Sequence, residues 1–181
     1  MSTPLKIVKQ QIEFQTPWFE LVSKQVDGES APFYSLRMSD YVSVVAFTPE
    51  SELVLVRQYR PAVESFTLEL PSGHVDQGER PEASARRELA EECGFAVGKV
   101  ELLGTLLSDT GRNENRLWCY LATDVTSVGP QYVPEAGLER VLVPREDLPR
   151  LIERGELSHA LHLAALMLAV LRRGPELLAL K

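Results

Sequence analysis

Apolar and polar residues alternate over residues 6–14, 18–26 and 33–38, the period of strands that cover one face. Asp27 and Gly28 part the second run from the third, a pair suited to a tight hairpin turn. Runs at 42–48 and 53–59 predict a second strand pair around Pro49, Glu50 and Ser51, and residues 67–70 continue the strand character up to Pro71, Ser72 and Gly73. The period then changes. Residues 81–92 are good helix formers, with Pro81 at the start and Gly94 just past the end, as helix termini prefer. Strands are predicted at 100–107, 116–123 and 139–144, then helices around 145–154 and 158–172, the second capped by Ser158. Strands in runs, one central helix and terminal helices indicate an α+β fold or an α/β/α sandwich, not a regularly alternating parallel sheet.

The 181 residues suit one domain or one domain with an appendage, and 44% hydrophobic with 25% charged residues is ordinary for a globular protein. A net charge of -7 opposes binding to a polyanion, so no nucleic-acid partner is expected. A small phosphorylated substrate stays open, because local cations or metal ions reverse the field. Cys93 and Cys119 form no metal-type or redox-type pair, which fits a reduced, cytoplasmic setting. The apolar stretch 160–171 contains His162 and is too short to span a bilayer, and the first residues lack the apolar core of a signal peptide. A soluble intracellular protein without a membrane partner is the expectation.

The informative segment runs from Gly73 to Phe95. Glu88, Glu91 and Glu92 stand at i, i+3 and i+4 and share one helix face. Like charges at that spacing oppose the helix by roughly 0.2–0.5 kcal/mol per pair. Their place at the C-terminal end is worse, since the macrodipole there favours cations. A hard divalent cation removes the conflict by taking oxygen ligands. Arg87 can pair with Glu91 or reach back to Glu79, and Gly73 and Gly78 let the preceding loop fold close to the helix.

Gly73, Glu79, Arg87, Glu88, Glu91, Glu92 and Gly94, with apolar Leu89 and Phe95, occupy every fixed position of the Nudix box. At about 6–7% average usage per fixed residue, a chance match in the chain is on the order of 10⁻⁷. The chain therefore resembles the Nudix hydrolases. Val56 to Pro61, Leu68 to Gly73, the run from Val141, Trp18 and the pair Phe33–Tyr34 are similar to the ADP-ribose and ADP-sugar pyrophosphatase branch. The resemblance implies a mixed β-sheet sandwiched between helices (α/β/α), with an N-terminal antiparallel β extension at 1–40 and the Nudix domain at 41–181. It implies Mg²⁺-dependent cleavage of a nucleoside diphosphate sugar, ADP-ribose first, with Mn²⁺ as a substitute metal. Another nucleotide substrate (GDP-mannose, a dinucleoside polyphosphate, a modified nucleoside triphosphate) and a non-catalytic sensing domain are the alternatives.

Carried over to this sequence, Glu88, Glu92, Glu91 and the carbonyl of Ser72 look like metal ligands, and Glu79 with Arg87 like the ion pair that fixes the box. Glu135 is the candidate base, with Glu139 and Glu114 as runners-up. The branch also implies a homodimer with crossing N-terminal strands, in which Trp18 or the Phe33–Tyr34 pair, Tyr34 first, stacks on the adenine. Arg60 suits a phosphate, because a guanidinium binds its oxygens bidentately. Arg57 suits a phosphate or a neighbouring carboxylate, and Arg112, in a polar loop at 108–116, suits a phosphate or ribose. That loop departs from the branch pattern, which usually has a Gly-rich turn there. His159 and His162, at i and i+3, lack a third metal ligand nearby in sequence and are expected to be helix residues.

Overall fold

The computed structural model describes residues 4–178. The chain forms two compact units, one of residues up to 40 with 107–116, the other of residues 41–106 with 117 onward.

In the first unit, β1 (Ile7–Gln15), β2 (Glu20–Val26) and β3 (Phe33–Arg37) form an antiparallel sheet in the order β1-β2-β3. Val22 and Val26 are buried, but all nine residues of β1 are exposed within this chain, Ile7, Ile12 and Phe14 included. The loop at 108–116 lies along β3: the Leu36 amide donates to the Arg112 carbonyl at 2.8 Å and the Glu114 amide to the Leu36 carbonyl at 2.9 Å.

The second unit is a sandwich built on two sheets. One is mixed, in the order β7-β4-β9-β8, from β4 (Tyr41–Ala46), β7 (Ser72–His74), β8 (Phe95–Leu107) and β9 (Arg116–Ser127), with β4 parallel to β9 and antiparallel to β7. The other is antiparallel, β10-β5-β6, from β5 (Glu52–Arg60), β6 (Ser65–Glu69) and β10 (Leu138–Pro144). Three helices complete it: α1 (Pro81–Cys93), α2 (Leu148–Glu153) and α3 (Ala160–Arg173).

Strand alternation explains the layers. Val45, Leu53, Leu55, Cys119 and Leu121 pack with Leu148 of α2 and with Ala165, Leu166 and Ala169 of α3. Their neighbours Val44, Ala46, Val54, Val56, Tyr120 and Ala122 pack instead with Ala85, Leu89 and Cys93 of α1. Successive side chains point to opposite faces, so a strand covered on both sides reads as a nearly continuous apolar run. Full burial of Leu89 contributes about 2 kcal/mol relative to exposure. The fold is α+β with a mixed sheet, as the sequence indicated.

Several local expectations change. The turn at 49–51 forms, with the Thr48 amide on the Glu52 carbonyl at 2.9 Å, but the flanking strands are not a hairpin pair. β4 joins β7 and β9 while β5 joins β6 and β10, and among the described residues a single bridge, Phe47 to Leu53, links the two. The turn carries the chain from one sheet to the other, which lets both strands bury both faces. α3 starts at Ala160 with His159 at the cap and no side-chain capping bond, so Ser158 does not cap it. The region 145–154 divides into a 3-10 turn (Arg145–Asp147) and α2. β8 begins directly after Gly94, five residues before the expected start.

Candidate active site

The segment from β7 into α1 closes tightly on the glutamates. A Cβ on Gly73 would lie 2.1 Å from Glu88 Oε1 and 2.2 Å from its Cδ, so the carboxylate occupies the space a side chain would need. The Ser72 amide donates to Glu92 Oε2 at 2.9 Å. Arg87 ties the segment together: Nε and Nη2 donate to Glu79 at 3.3 and 3.0 Å, Nη1 to Glu88 at 2.7 Å and to Glu91 at 3.1 Å, and Nη2 to the His74 carbonyl at 3.1 Å. Ser84 Oγ donates to Glu79 at 2.6 Å.

α1 ends at Gly94, whose φ of 68° is left-handed and whose missing Cβ makes room for the Tyr132 ring, 2.4 Å from where that atom would sit. The last turn has no basic residue of its own. Tertiary structure supplies what the helix lacks. Arg140 Nη1 donates to the Cys93 carbonyl at 2.8 Å, and the Tyr132 hydroxyl donates to the Glu92 carbonyl. A cation and a donor thus sit at the negative end of the macrodipole.

Glu92 is only 7% exposed. Burial above all, with repulsion from Glu88 and Glu135 adding to it, pushes its carboxyl up to about 8 against the Ser72 hydrogen bond. Burial also raises Glu88, although Arg87 opposes the shift. Glu79 is lowered, first by Arg87 and then by Ser84. Two neighbouring carboxyls that resist ionisation, presented as oxygen donors, fit a hard divalent cation, whose charge would favour the ionised form. Glu91 is 57% exposed and held by Arg87, so it faces the same region from its rim.

Beside the box lies a cavity of about 340 Å³, lined by Tyr41, Arg60, Glu69, Ser72, Gly73, His74, His159 and His162 among others. Arg60 forks onto Glu69, Nε to Oε1 at 2.8 Å and Nη2 to Oε2 at 2.7 Å, and Thr67 Oγ1 donates to Oε1 at 2.6 Å. Burial alone would raise Glu69, but these bonds outweigh it and hold the carboxyl at about 2. The Leu70 amide donates to His162 Nδ1 at 3.0 Å. Burial first, then His159, lowers His162 to about 3. The two imidazoles stack with centroids 3.9 Å apart and planes at 19°.

The third group that local sequence did not offer these histidines is therefore Glu69, whose ligand atom lies within 4.8 Å of theirs. The trio does not suit a metal. His162 Nδ1 accepts an amide hydrogen, so the neutral ring carries its proton on Nε2 and has no free lone pair to give. Glu69 is already neutralised by Arg60.

The other candidates fall into distinct places. Glu135 lies in the loop between β9 and β10, close enough to Glu92 to raise its pKa. Glu139 pairs with Arg57 at 3.1 Å, and Arg57 also lies 4.4 Å over the Phe66 ring. Glu114 belongs to the first unit, where Lys24, Arg37 and Ser35 reach it at 2.7, 3.0 and 2.7 Å. Burial there would raise it, yet those bonds hold it at about 2. Trp18, Tyr34 and Arg112 are exposed residues of the first unit. Sequence reasoning did not single out Glu69, Tyr132 or Arg140. Glu69 left a trace, as an acidic residue in an otherwise apolar run, whereas Tyr132 and Arg140 left none.

Fold and site together define a mixed-sheet α+β protein built around a glutamate-rich helix. The NUDIX domain model matches residues 39–166, well over half the chain, and the chain belongs to that family. It is 27% identical to an ADP-ribose pyrophosphatase of Bacillus subtilis (strain 168) over 159 residues, 85% of each protein. It is 31% identical to an ADP-ribose pyrophosphatase of Mycobacterium tuberculosis over 129 residues, covering 70% of this chain and 62% of that one. A methanol dehydrogenase activator of Bacillus methanolicus is 32% identical over 108 residues, and the chain spans 58% of its length. A crystal structure of an ADP compounds hydrolase superposes with a TM-score of 0.79 at 22% identity, covering 95% of this chain and 97% of that one, which shows the shared fold.

Proposed function

We propose that this protein hydrolyses the diphosphate linkage of a nucleoside diphosphate sugar, ADP-ribose first, in a Mg²⁺-dependent reaction. The observation that carries the reading is the placement of buried Glu92 and partly buried Glu88 against Ser72 and Gly73, beside a cavity edged by Arg60. The substrate class named for the Bacillus subtilis and Mycobacterium tuberculosis relatives supports it.

When bound, Mg²⁺ supplies charge neutralisation on the phosphate oxygens and makes a bound water more acidic. Glu88 and Glu92, with Glu91 and the Ser72 carbonyl, are the groups to hold it. Arg87 and Glu79 keep the carboxylates aimed by fixing the loop to the helix. Arg60 Nη1 is left over from the Glu69 fork and is suited to a phosphate oxygen. Glu135 takes the proton of the attacking water. Water adds to one phosphorus, the bond from that phosphorus to the bridging oxygen breaks, and a nucleoside monophosphate and a sugar phosphate leave.

The same reading makes residues 1–40 an extension and 41–181 the catalytic domain of a cytoplasmic homodimer. Ile7, Val8, Ile12 and Phe14 of β1, all exposed in the single chain, are the surface for the second copy. Trp18 and Tyr34 are its candidates for the nucleotide base, and Arg112 for a phosphate. Among the described residues no helix is long and apolar enough to cross a membrane. A panel of nucleoside diphosphate sugars and other nucleotides, assayed with Mg²⁺ and with chelator, tests the reading. AMP and ribose 5-phosphate are the expected products. Activity on ADP-ribose below that on every other substrate, or turnover unaffected by chelator, would overturn it.

A further inference from the structure

We propose that His159 and His162 are specificity-determining residues that read hydroxyl groups on the sugar half of the substrate, in the cavity beside the box. This inference rests on the proposed nucleoside diphosphate sugar reaction. Three observations carry it.

The first is size. A cavity of about 340 Å³ is at the low end for a small-molecule site, too small for a whole nucleotide sugar but ample for one sugar ring. Its wall includes Ser72 and Gly73, so a group inside it lies next to the place where the diphosphate would be cut.

The second is charge. The Arg60–Glu69 pair cancels, and His162 is a buried neutral ring rather than a cation. Around the two histidines the wall therefore carries no net positive charge, while Arg60 Nη1, left over from the Glu69 fork, is the group suited to a phosphate. The wall around the histidines offers directional hydrogen bonds, which suit a neutral polar group.

The third is the set of unused polar atoms. The Leu70 amide occupies His162 Nδ1, which leaves Nε2–H as the remaining donor of a ring that lines the cavity. His159 Nδ1 is buried and has no hydrogen-bond partner among the described residues. Stacking on His162 holds the His159 ring without using either of its nitrogens. Glu69 accepts three hydrogen bonds and has room for another on Oε2. An adjacent donor and acceptor with no partners match a hydroxyl, or a vicinal pair of hydroxyls, each of which both gives and takes a hydrogen. A site whose polar atoms are satisfied only by such a ligand discriminates against analogues that lack the hydroxyl, because those atoms then stay unpaired.

His159→Phe is the informative variant: it keeps a ring to stack on His162, removes both nitrogens and leaves the Leu70 bond in place. Two substrates sharing the adenosine diphosphate half are compared, ADP-ribose and the methyl ester of ADP. The expected result is a loss of about tenfold in kcat/KM for ADP-ribose, with the methyl ester changed less than about twofold. Equal losses on the two, or an unchanged ratio, overturn the proposal.

A second measurement does not depend on turnover. The chain has only three histidines, so ¹⁵N spectra of the wild-type imidazoles are simple to assign. Titration with ribose 5-phosphate is expected to move His162 Nε2, and inorganic phosphate is expected to leave it in place. If phosphate moves it equally, or the sugar phosphate leaves it unmoved, the proposal fails even when the enzyme cleaves ADP-ribose. Conversely, an enzyme that cleaves no nucleoside diphosphate derivative refutes the reaction reading, while the sugar-dependent shift still reports on the histidines.

Discussion

Glu92 gives the sharpest quantitative expectation. Its carboxyl moves from an ordinary 4.5 to about 8 on folding without metal, chiefly because burial penalises the charged form. The folded state thus binds a proton more tightly than the unfolded chain does. Stability from this group is fully present below pH 4.5 and is lost as the pH rises through 8. At about 1.4 kcal/mol per pH unit over the interval from 4.5 to about 8, the loss is about 5 kcal/mol. That is a large part of the roughly 5–15 kcal/mol that holds a domain together. Glu92→Gln removes the ionisation and keeps an oxygen to accept the Ser72 amide. Chelator-treated wild type and variant would be unfolded in urea at pH 5.5 and pH 9. The variant is expected to gain several kcal/mol over wild type at pH 9, about 1.4 kcal/mol at pH 5.5, and to show a flatter pH dependence. With Mg²⁺ added, it is expected to turn over substrate at least about a hundredfold more slowly. Equal stability of the two proteins at pH 9 would refute the claim that Glu92 is a strained carboxylate awaiting a cation.

Two further perturbations probe the supports. Gly73→Ala places a methyl group 2.1–2.5 Å from the Glu88 carboxylate atoms, so that carboxylate must move; kcat is expected to fall about a hundredfold while the circular dichroism spectrum is retained, and unchanged kcat would refute the close fit. Glu69→Gln leaves Arg60 without its charge partner and is expected to cost about 2 kcal/mol in urea unfolding, less than the roughly 3–5 of a fully buried pair because Arg60 is partly exposed. Because Glu69 is held at about 2, wild type should lose that stability as pH falls from 4.5 toward 2, and a variant with the same acid profile would refute the pairing.

The local chemistry of the box was legible in the sequence because every part of it lies within one loop and one helix. Helical periodicity alone places Glu88, Glu91 and Glu92 on one face, and the reach from Arg87 to Glu79 and Glu91 follows from their spacing. The α+β class was legible for a similar reason, since strand and helix periods are local properties. Strand partnership was not. The runs at 42–48 and 53–59 look like a hairpin, but each strand carries apolar side chains on both faces and can bury them only between two helix layers. Alternation could not say which neighbour each strand would take.

What the sequence by itself determined is the carboxylate helix and the conflict among its charges, because those depend on spacings of a few residues. What only the tertiary structure decided is how that conflict is framed. Arg140 reaches the end of α1 from 47 residues away, Tyr132 fills the space beside Gly94 from 40 residues past Glu92, and His162 meets Leu70 across 92 residues. Such contacts exist only after the sheets and helices have packed, since no local period relates residues so far apart. Burial likewise belongs to the packed state, and burial, more than any neighbouring charge, is what moves the Glu92 and His162 equilibria.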